Sequence, residues 1–197
     1  MQWILLPTCL TVEGRRDLQR FNLLASCGRD VEFEAVNELE RLLAMVGDEM
    51  CRAWESEVKG LIFGLTGFEP KKAIEKLKSL LRERPWEFNI LRRVIPIERV
   101  VNTDMNGICA ACMEIAEEIK PQDTFRITVE KRRTRLSSKE LIQAVARYVD
   151  AKVDLEKPKK VMLIEIVGGE TGISLLEGLE GILNVTQETL KGSQNTA

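Results

Sequence analysis

Histidine is absent from the 197 residues. That excludes Ser–His and Cys–His nucleophile pairs, a histidine general base and every histidine-containing metal site. Aromatic residues make up only 5%, which leaves little for a surface that grips unstacked bases by ring stacking. No apolar run approaches the roughly 20 residues needed to cross a bilayer. The opening MQWILLPTCL looks apolar but lacks a basic leader and a small-residue cleavage site. It does not read as a signal peptide, so the expected location is the cytoplasm, with no membrane partner. Neither GxxxxGK[ST] nor GxGxxG occurs, so no common phosphate-cradling loop is supported. Gly60, Gly64 and Gly67 are instead expected to serve strand packing or bulges.

The cysteines are few and do not form a recognisable site. Cys9, Cys27, Cys51, Cys109 and Cys112 are odd in number and irregular in spacing, unlike a secreted disulfide framework. Cys109 and Cys112 have CxxC spacing, but no second pair and no histidine completes a zinc site. Cys112 falls on an apolar helix stripe with Ile108 and Ile115, so a buried thiol is the simpler reading. Glu114, Glu117 and Glu118 look like the solvated face of the same helix. No cofactor and no metal are expected.

What is present is a globular composition, 44% hydrophobic and 30% charged, in a chain long enough for one or two domains with real cores. The net charge is only −2, but it is unevenly spread. Residues 30–60 hold 3 basic and 9 acidic side chains, and residues 120–160 hold 12 basic and 6 acidic. Such asymmetry suggests that one half faces a polyanion.

Periodicity supplies the elements. FNLLASC (21–27) predicts a buried strand. Phe33, Val36, Leu39, Leu42, Leu43 and Val46 form a helix face that Gly47 ends. RAWESEVKG and LIFGLTG predict two strands. Pro70 suits a first helical turn, and Ala73, Ile74, Leu77, Leu80 and Leu81 give its apolar stripe. FNILRRVIPIERVV is extended. The order strand, helix, strand, strand, helix, strand is the ferredoxin-like pattern.

A second unit follows. Ile108, Cys112, Ile115 and Ile119 mark a helix that ends before Pro121. Phe125, Ile127 and Val129 alternate with Arg126, Thr128 and Glu130 as in a half-buried strand. Ser137 and Glu140 have capping-box spacing, and Leu141, Ile142, Val145 and Val149 carry the buried face of the helix they open. VMLIEIV (161–167) is apolar throughout, which fits a strand covered on both sides. Gly168 and Gly169 turn into a final strand, and the GSQNTA end is polar and expected to fray.

The feature that needs a purpose is FRITVEKRRTRLSSKEL. Lys131, Arg132, Arg133 and Arg135 crowd the junction between a strand and a helix N-terminus. Cations and unpaired helix amides both attract phosphate, and arginine forms bidentate phosphate contacts. Ser138 and Lys139 add a hydroxyl and a further cation. Lys157, Lys159 and Lys160 form a second basic group before the next strand; strand order decides whether the two groups meet. A ferredoxin-like sheet also raises the RNA-recognition motif. Its ring-bearing strand would be Lys59 to Thr66, where the base-stacking positions hold Leu61 and Thr66. The first unit is therefore expected to be a scaffold that binds RNA weakly or not at all.

The stretch from Thr124 to Leu176 resembles the THUMP domain, an RNA-binding module of tRNA- and rRNA-modifying proteins. The resemblance rests on five features. They are the alternating strand ending in Lys131 and Arg132, the Ser138-Lys139-Glu140-Leu141 helix start, Val153-Asp154-Leu155 with Pro158 after it, the apolar strand 161–167, and Gly172-Ile173-Ser174. It implies an α+β chain with an N-terminal ferredoxin-like domain (15–98), a THUMP domain (99–176) and a C-terminal tail (177–197). Because most THUMP proteins carry a further catalytic domain, the short remainder suggests similarity to stand-alone adaptors for tRNA cytidine acetylation. That implies a non-catalytic subunit whose partners are tRNA and a separate modifying enzyme, an acetyltransferase making 4-acetylcytidine. RNA contact is carried by resemblance onto Lys131, Arg132, Arg133, Arg135, Ser138 and Lys139, while Lys157, Lys159 and Lys160 rest on charge and proximity. The alternatives are a small enzyme of RNA metabolism using Cys109 or Cys112, and a protein-binding scaffold with an acidic first domain.

Overall fold

The computed structural model describes residues 21–186. The sequence features noted at 1–20 and 187–197, among them Cys9 and the GSQNTA end, lie outside that range. The first unit follows the predicted order. Strand β1 (Leu23–Ser26) leads to helix α1 (Glu32–Met45), then β2 (Arg52–Glu55), β3 (Leu61–Leu65), α2 (Pro70–Glu83) and β4 (Arg93–Pro96). Pro70 sits in the first turn of α2, and the Glu69 carboxylate accepts from the amides of Lys71 and Lys72. These two amides have no partner within the helix, so the carboxylate supplies the hydrogen bonds the first turn lacks.

The second unit comprises β5 (Arg99–Asn102), α3 (Met105–Ala116), β6 (Thr124–Arg132), α4 (Ser138–Ala146), β7 (Lys152–Val153), β8 (Lys160–Val167) and β9 (Glu170–Glu177). A last strand, β10 (Leu183–Asn184), follows. Ser137 caps α4 by accepting from the Glu140 amide at 3.3 Å, where the sequence predicts the helix to start.

The strands form two sheets, in the orders β10-β4-β1-β3-β2 and β5-β9-β8-β6-β7. The four neighbours β4-β1-β3-β2 have the antiparallel ferredoxin-like arrangement. Alternation along each strand assigns side chains to three apolar layers. Leu23, Ala25, Ile62 and Val94 pack under α1 and α2. Met162, Ile164, Ile166, Ile173 and Leu175 pack under α3 and α4. Leu24, Leu61, Phe63 and Ile95 of the first sheet meet Val161, Leu163, Val167 and Leu176 of the second. The sheets thus lie face to face with helices outside both. Each such buried aliphatic side chain stabilises the fold by about 1.5–3 kcal/mol, which explains why 161–167 is apolar on both faces.

Three details depart from the sequence reading. FNILRRVIPIERVV is not one extended segment: it supplies β4 to the first sheet and β5 to the second, crossing between them at Ile97 and Glu98. The predicted tail from 177 returns to the first sheet, where β10 pairs with β4 and Leu183 is fully buried. Leu183 joins the core that α2 covers; the end expected to fray, GSQNTA, lies outside the described residues. Finally, the face of the first sheet that an RNA-recognition motif would present is covered by the second sheet. Phe63 is buried there, with its ring stacked on Phe21 at 4.1 Å. Gly172 permits this contact, since a Cβ at that position would lie 2.8 Å from Cδ1 of Ile97.

Candidate nucleic-acid interface

Strand β6 ends at Arg132, and Arg133 turns the chain with a left-handed φ of 56°. Five residues later α4 begins. The Arg132 carbonyl still accepts from the Gly168 amide at 3.0 Å, so the end of β6 is tied to the turn between β8 and β9. Gly168 has φ 60°, and a Cβ there would collide with Oε1 of Glu57. The positive φ favours glycine at the turn, while Glu57 can swing away from an added Cβ.

The same turn gathers the first unit. Glu57, in the loop between β2 and β3, accepts from the Gly169 amide at 3.0 Å. Arg133 donates to the Glu57 carbonyl at 2.6 Å while its side chain stays 64% exposed. On the other flank Asn102 of β5 pairs with Glu170 of β9, and Thr103 donates its amide to the Gly169 carbonyl. Helix α3 starts just beyond, with Asp104 accepting from Gly107 at 2.8 Å. The N-termini of α3 and α4 thus share one end of the second sheet with the cationic junction. Both helix ends carry partial positive charge, which adds to the attraction for an anion.

The predicted cations occupy different states. Lys131 donates to the Leu136 carbonyl at 2.7 Å, bracing the loop while staying exposed. Arg135 and Lys139 are exposed. Ser138 is half-buried in the first turn of α4. Arg132 differs from its neighbours. Its Nη1 donates to Oε2 of Glu165 at 2.8 Å, and Glu165 is only 1% exposed. Burial pushes the Glu165 carboxyl up to about 7 against the pull of Arg132. Arg132 is therefore held at the edge of the interior, between buried Glu165 and, at 3.9 Å, the carboxylate of Glu130. Sequence reasoning missed Glu165, although a lone acid inside VMLIEIV was a visible signal.

Lys157, Lys159 and Lys160 do not join this surface. β6 and β8 are parallel, with Phe125 opposite Lys160 and Arg132 opposite Val167. The second basic group thus lies at the opposite end of the sheet, roughly 23 Å away at about 3.3 Å per residue. Lys159 pairs with buried Asp123 at 2.6 Å, and that hydrogen bond holds the Asp123 carboxyl below its usual range. Lys160 pairs with Glu177. Lys157 is exposed, in a loop whose amides are held by Asp154.

Among the described residues, burial disfavours the thiolate form of both CxxC cysteines. Cys112 is fully buried, and burial pushes its thiol up to about 12. Burial raises Cys109 as well. Among the described residues no group of three or more His, Cys, Asp or Glu side chains is placed to hold a metal ion. No helix among them is long and apolar enough to cross a membrane.

Comparison with known proteins bears on this geometry. Residues 102–176 match the THUMP domain model. No curated protein matches the chain by sequence. Among solved structures, PH1313 from Pyrococcus horikoshii Ot3 shares the fold with a TM-score of 0.59 and 20% identity, covering 80% of this chain and 55% of that one. TrmN from Thermus thermophilus has a TM-score of 0.52 and 15% identity, covering 80% of this chain and 45% of that one. A 4-thiouridine synthetase–RNA complex with bound ATP has a TM-score of 0.48 and 12% identity, covering 83% and 42%. This chain thus spans about half the length of the solved chains it matches.

One expectation is corrected by these matches. The sequence suggested a non-catalytic subunit, yet this chain covers only 55% of PH1313 and 45% of TrmN, and the part it shares with those longer chains does not separate a catalytic protein from a non-catalytic one. A non-catalytic assignment does not follow from the fold. What the comparisons establish is local: residues 102–176, which run from the end of β5 through α3, α4 and the cationic end of β6 almost to the end of β9, are a THUMP domain.

Proposed function

We propose that the cationic end of the second sheet binds RNA and that this chain holds tRNA for a modifying active site. The observation that carries the proposal is the group Lys131, Arg133, Arg135 and Lys139, exposed beside the N-terminus of α4 within the THUMP region. Fixed backbone donors and mobile cations there suit a phosphate backbone, which is contacted for position rather than for sequence. Ser138 belongs to this set as a hydroxyl donor. Lys157, Lys159 and Lys160 do not, given their distance and pairing. Arg132 contributes only when it leaves Glu165.

The chain is further read as two units, a ferredoxin-like unit over 15–98 and a THUMP unit over 99–176. The resemblance to adaptors of tRNA cytidine acetylation names an RNA cytidine acetyltransferase as the first candidate for the modifying activity. The test has two steps. The purified chain is examined for co-purifying tRNA and for binding of a tRNA transcript. It is then added to an RNA acetyltransferase reaction, in which 4-acetylcytidine is counted. Absence of tRNA binding removes the proposal. Binding without stimulation removes only the acetyltransferase.

A further inference from the structure

Strand β8 turns Val161, Leu163, Glu165 and Val167 toward the first sheet. The three apolar side chains join the layer between the sheets, and Glu165 is buried with them. One of its oxygens accepts from Arg132; the other, Oε1, is buried with no partner. On the first sheet, Nε of Arg93 in β4 is likewise buried without a partner. At the register of Glu165, β9 supplies Gly172, which has no side chain to help. The charged groups that act on the carboxylate are therefore Arg132 and Glu130 from β6 and Arg93 from β4.

Such a carboxylate is poorly compensated. Removing it from water costs more than one hydrogen-bonded cation returns when its second oxygen stays unpaired. Arg132 is still 32% exposed, so its guanidinium stands at the mouth of the seam. Its chain neighbours are Lys131 and Arg133 of the proposed phosphate surface. The pair is thus a contact between an RNA-facing strand end and the interior.

We propose that Glu165 withholds Arg132 from RNA, and that protonation of this buried carboxylate releases the guanidinium to the phosphate surface, so that affinity rises as pH falls. In the released state the Glu165 carboxyl takes its proton from solvent, and the large cost of burying a charge is replaced by the smaller cost of burying a neutral carboxyl. Arg132 exchanges an interior acceptor for a phosphate oxygen. The raised carboxyl pKa places the change near neutrality, a range in which no histidine of this chain can titrate. The inference rests on the RNA reading of the β6 end.

The test uses the full chain and a fluorescein-labelled tRNA transcript, with affinity measured against salt at about pH 6 and about pH 8. Each phosphate neutralised adds about 0.7–0.9 to the magnitude of the log–log salt slope. The wild type is expected to show a slope steeper by that amount at the lower pH, with affinity several-fold higher. Glu165→Gln is expected to give the steep slope at both pH values, and Arg132→Ala the shallow slope at both. A wild-type slope that does not change with pH, or a pH change that survives in Arg132→Ala, overturns the proposal. The second criterion holds even where Glu165→Gln fails to fold. Failure of the underlying RNA reading is distinguishable, because Arg133→Ala/Arg135→Ala/Lys139→Ala would then bind like the wild type.

Discussion

Replacing Glu165 with Gln should alter how stability depends on pH, independently of RNA. The side chain is 1% exposed, and burial raises its carboxyl from 4.5 to about 7 in the folded state. A raised acid stabilises the fold fully below the unfolded pKa, and that stabilisation is lost as pH rises through the folded one. The window here runs from about 4.5 to about 7. At about 1.36 kcal/mol per pKa unit, the loss amounts to about 3 kcal/mol. Glutamine keeps the shape but cannot ionise, so it lacks the charge that holds Arg132. Urea unfolding of both proteins at intervals between about pH 4.5 and about pH 8 isolates this one group, since other carboxylates cancel in the difference. The wild type should lose about 3 kcal/mol relative to Glu165→Gln across the window. A difference that stays flat, or a wild type that gains stability as pH rises, refutes the assignment of Glu165 as an under-compensated buried acid.

Other outcomes follow from the same contacts. Leu183→Ala should cost about 2–5 kcal/mol in chemical unfolding, because Leu183 is fully buried beneath α2; a cost below about 0.5 kcal/mol would return the segment to the status of a tail. Cys109→Ala/Cys112→Ala should keep RNA binding, and native Cys112 should resist iodoacetamide that labels it after unfolding, since its thiol is buried and held protonated. Loss of binding in that folded variant would contradict the placement of the interface. Lys157→Ala/Lys159→Ala/Lys160→Ala should leave the salt dependence of tRNA binding unchanged, because these residues lie at the far end of β8. A flattened slope would extend the interface along the whole sheet.

Much of the fold was legible because its elements obey their own periodicities. The stripes of α1 and α2, the alternation from Phe125 to Val129 and the cap at Ser137 each specify an element from neighbours in sequence. The double apolar face of 161–167 was legible too, but not its cause, which is a second sheet rather than a second layer of helices. What was not legible depends on long-range partners. The sequence cannot show that β6 and β8 run parallel, and this alone separates Lys157, Lys159 and Lys160 from the β6 end. Nor can it show that Arg132 meets Glu165, 33 residues away. Among four cations within five residues, nothing local distinguishes those left exposed from the one that meets a buried acid. Leu183 was not legible, since a two-residue edge strand carries no period.

The central claim is that exposed cations at the end of β6 form an RNA phosphate surface. Its most direct test is the salt dependence of tRNA affinity in Arg133→Ala/Arg135→Ala/Lys139→Ala against the wild type. Folding should be nearly unchanged, because exposed charges contribute only about 0–1 kcal/mol per pair. If all three side chains touch phosphate, affinity falls and the log–log slope flattens by about two units, alike for different tRNA sequences. Wild-type affinity with a wild-type slope would contradict the claim.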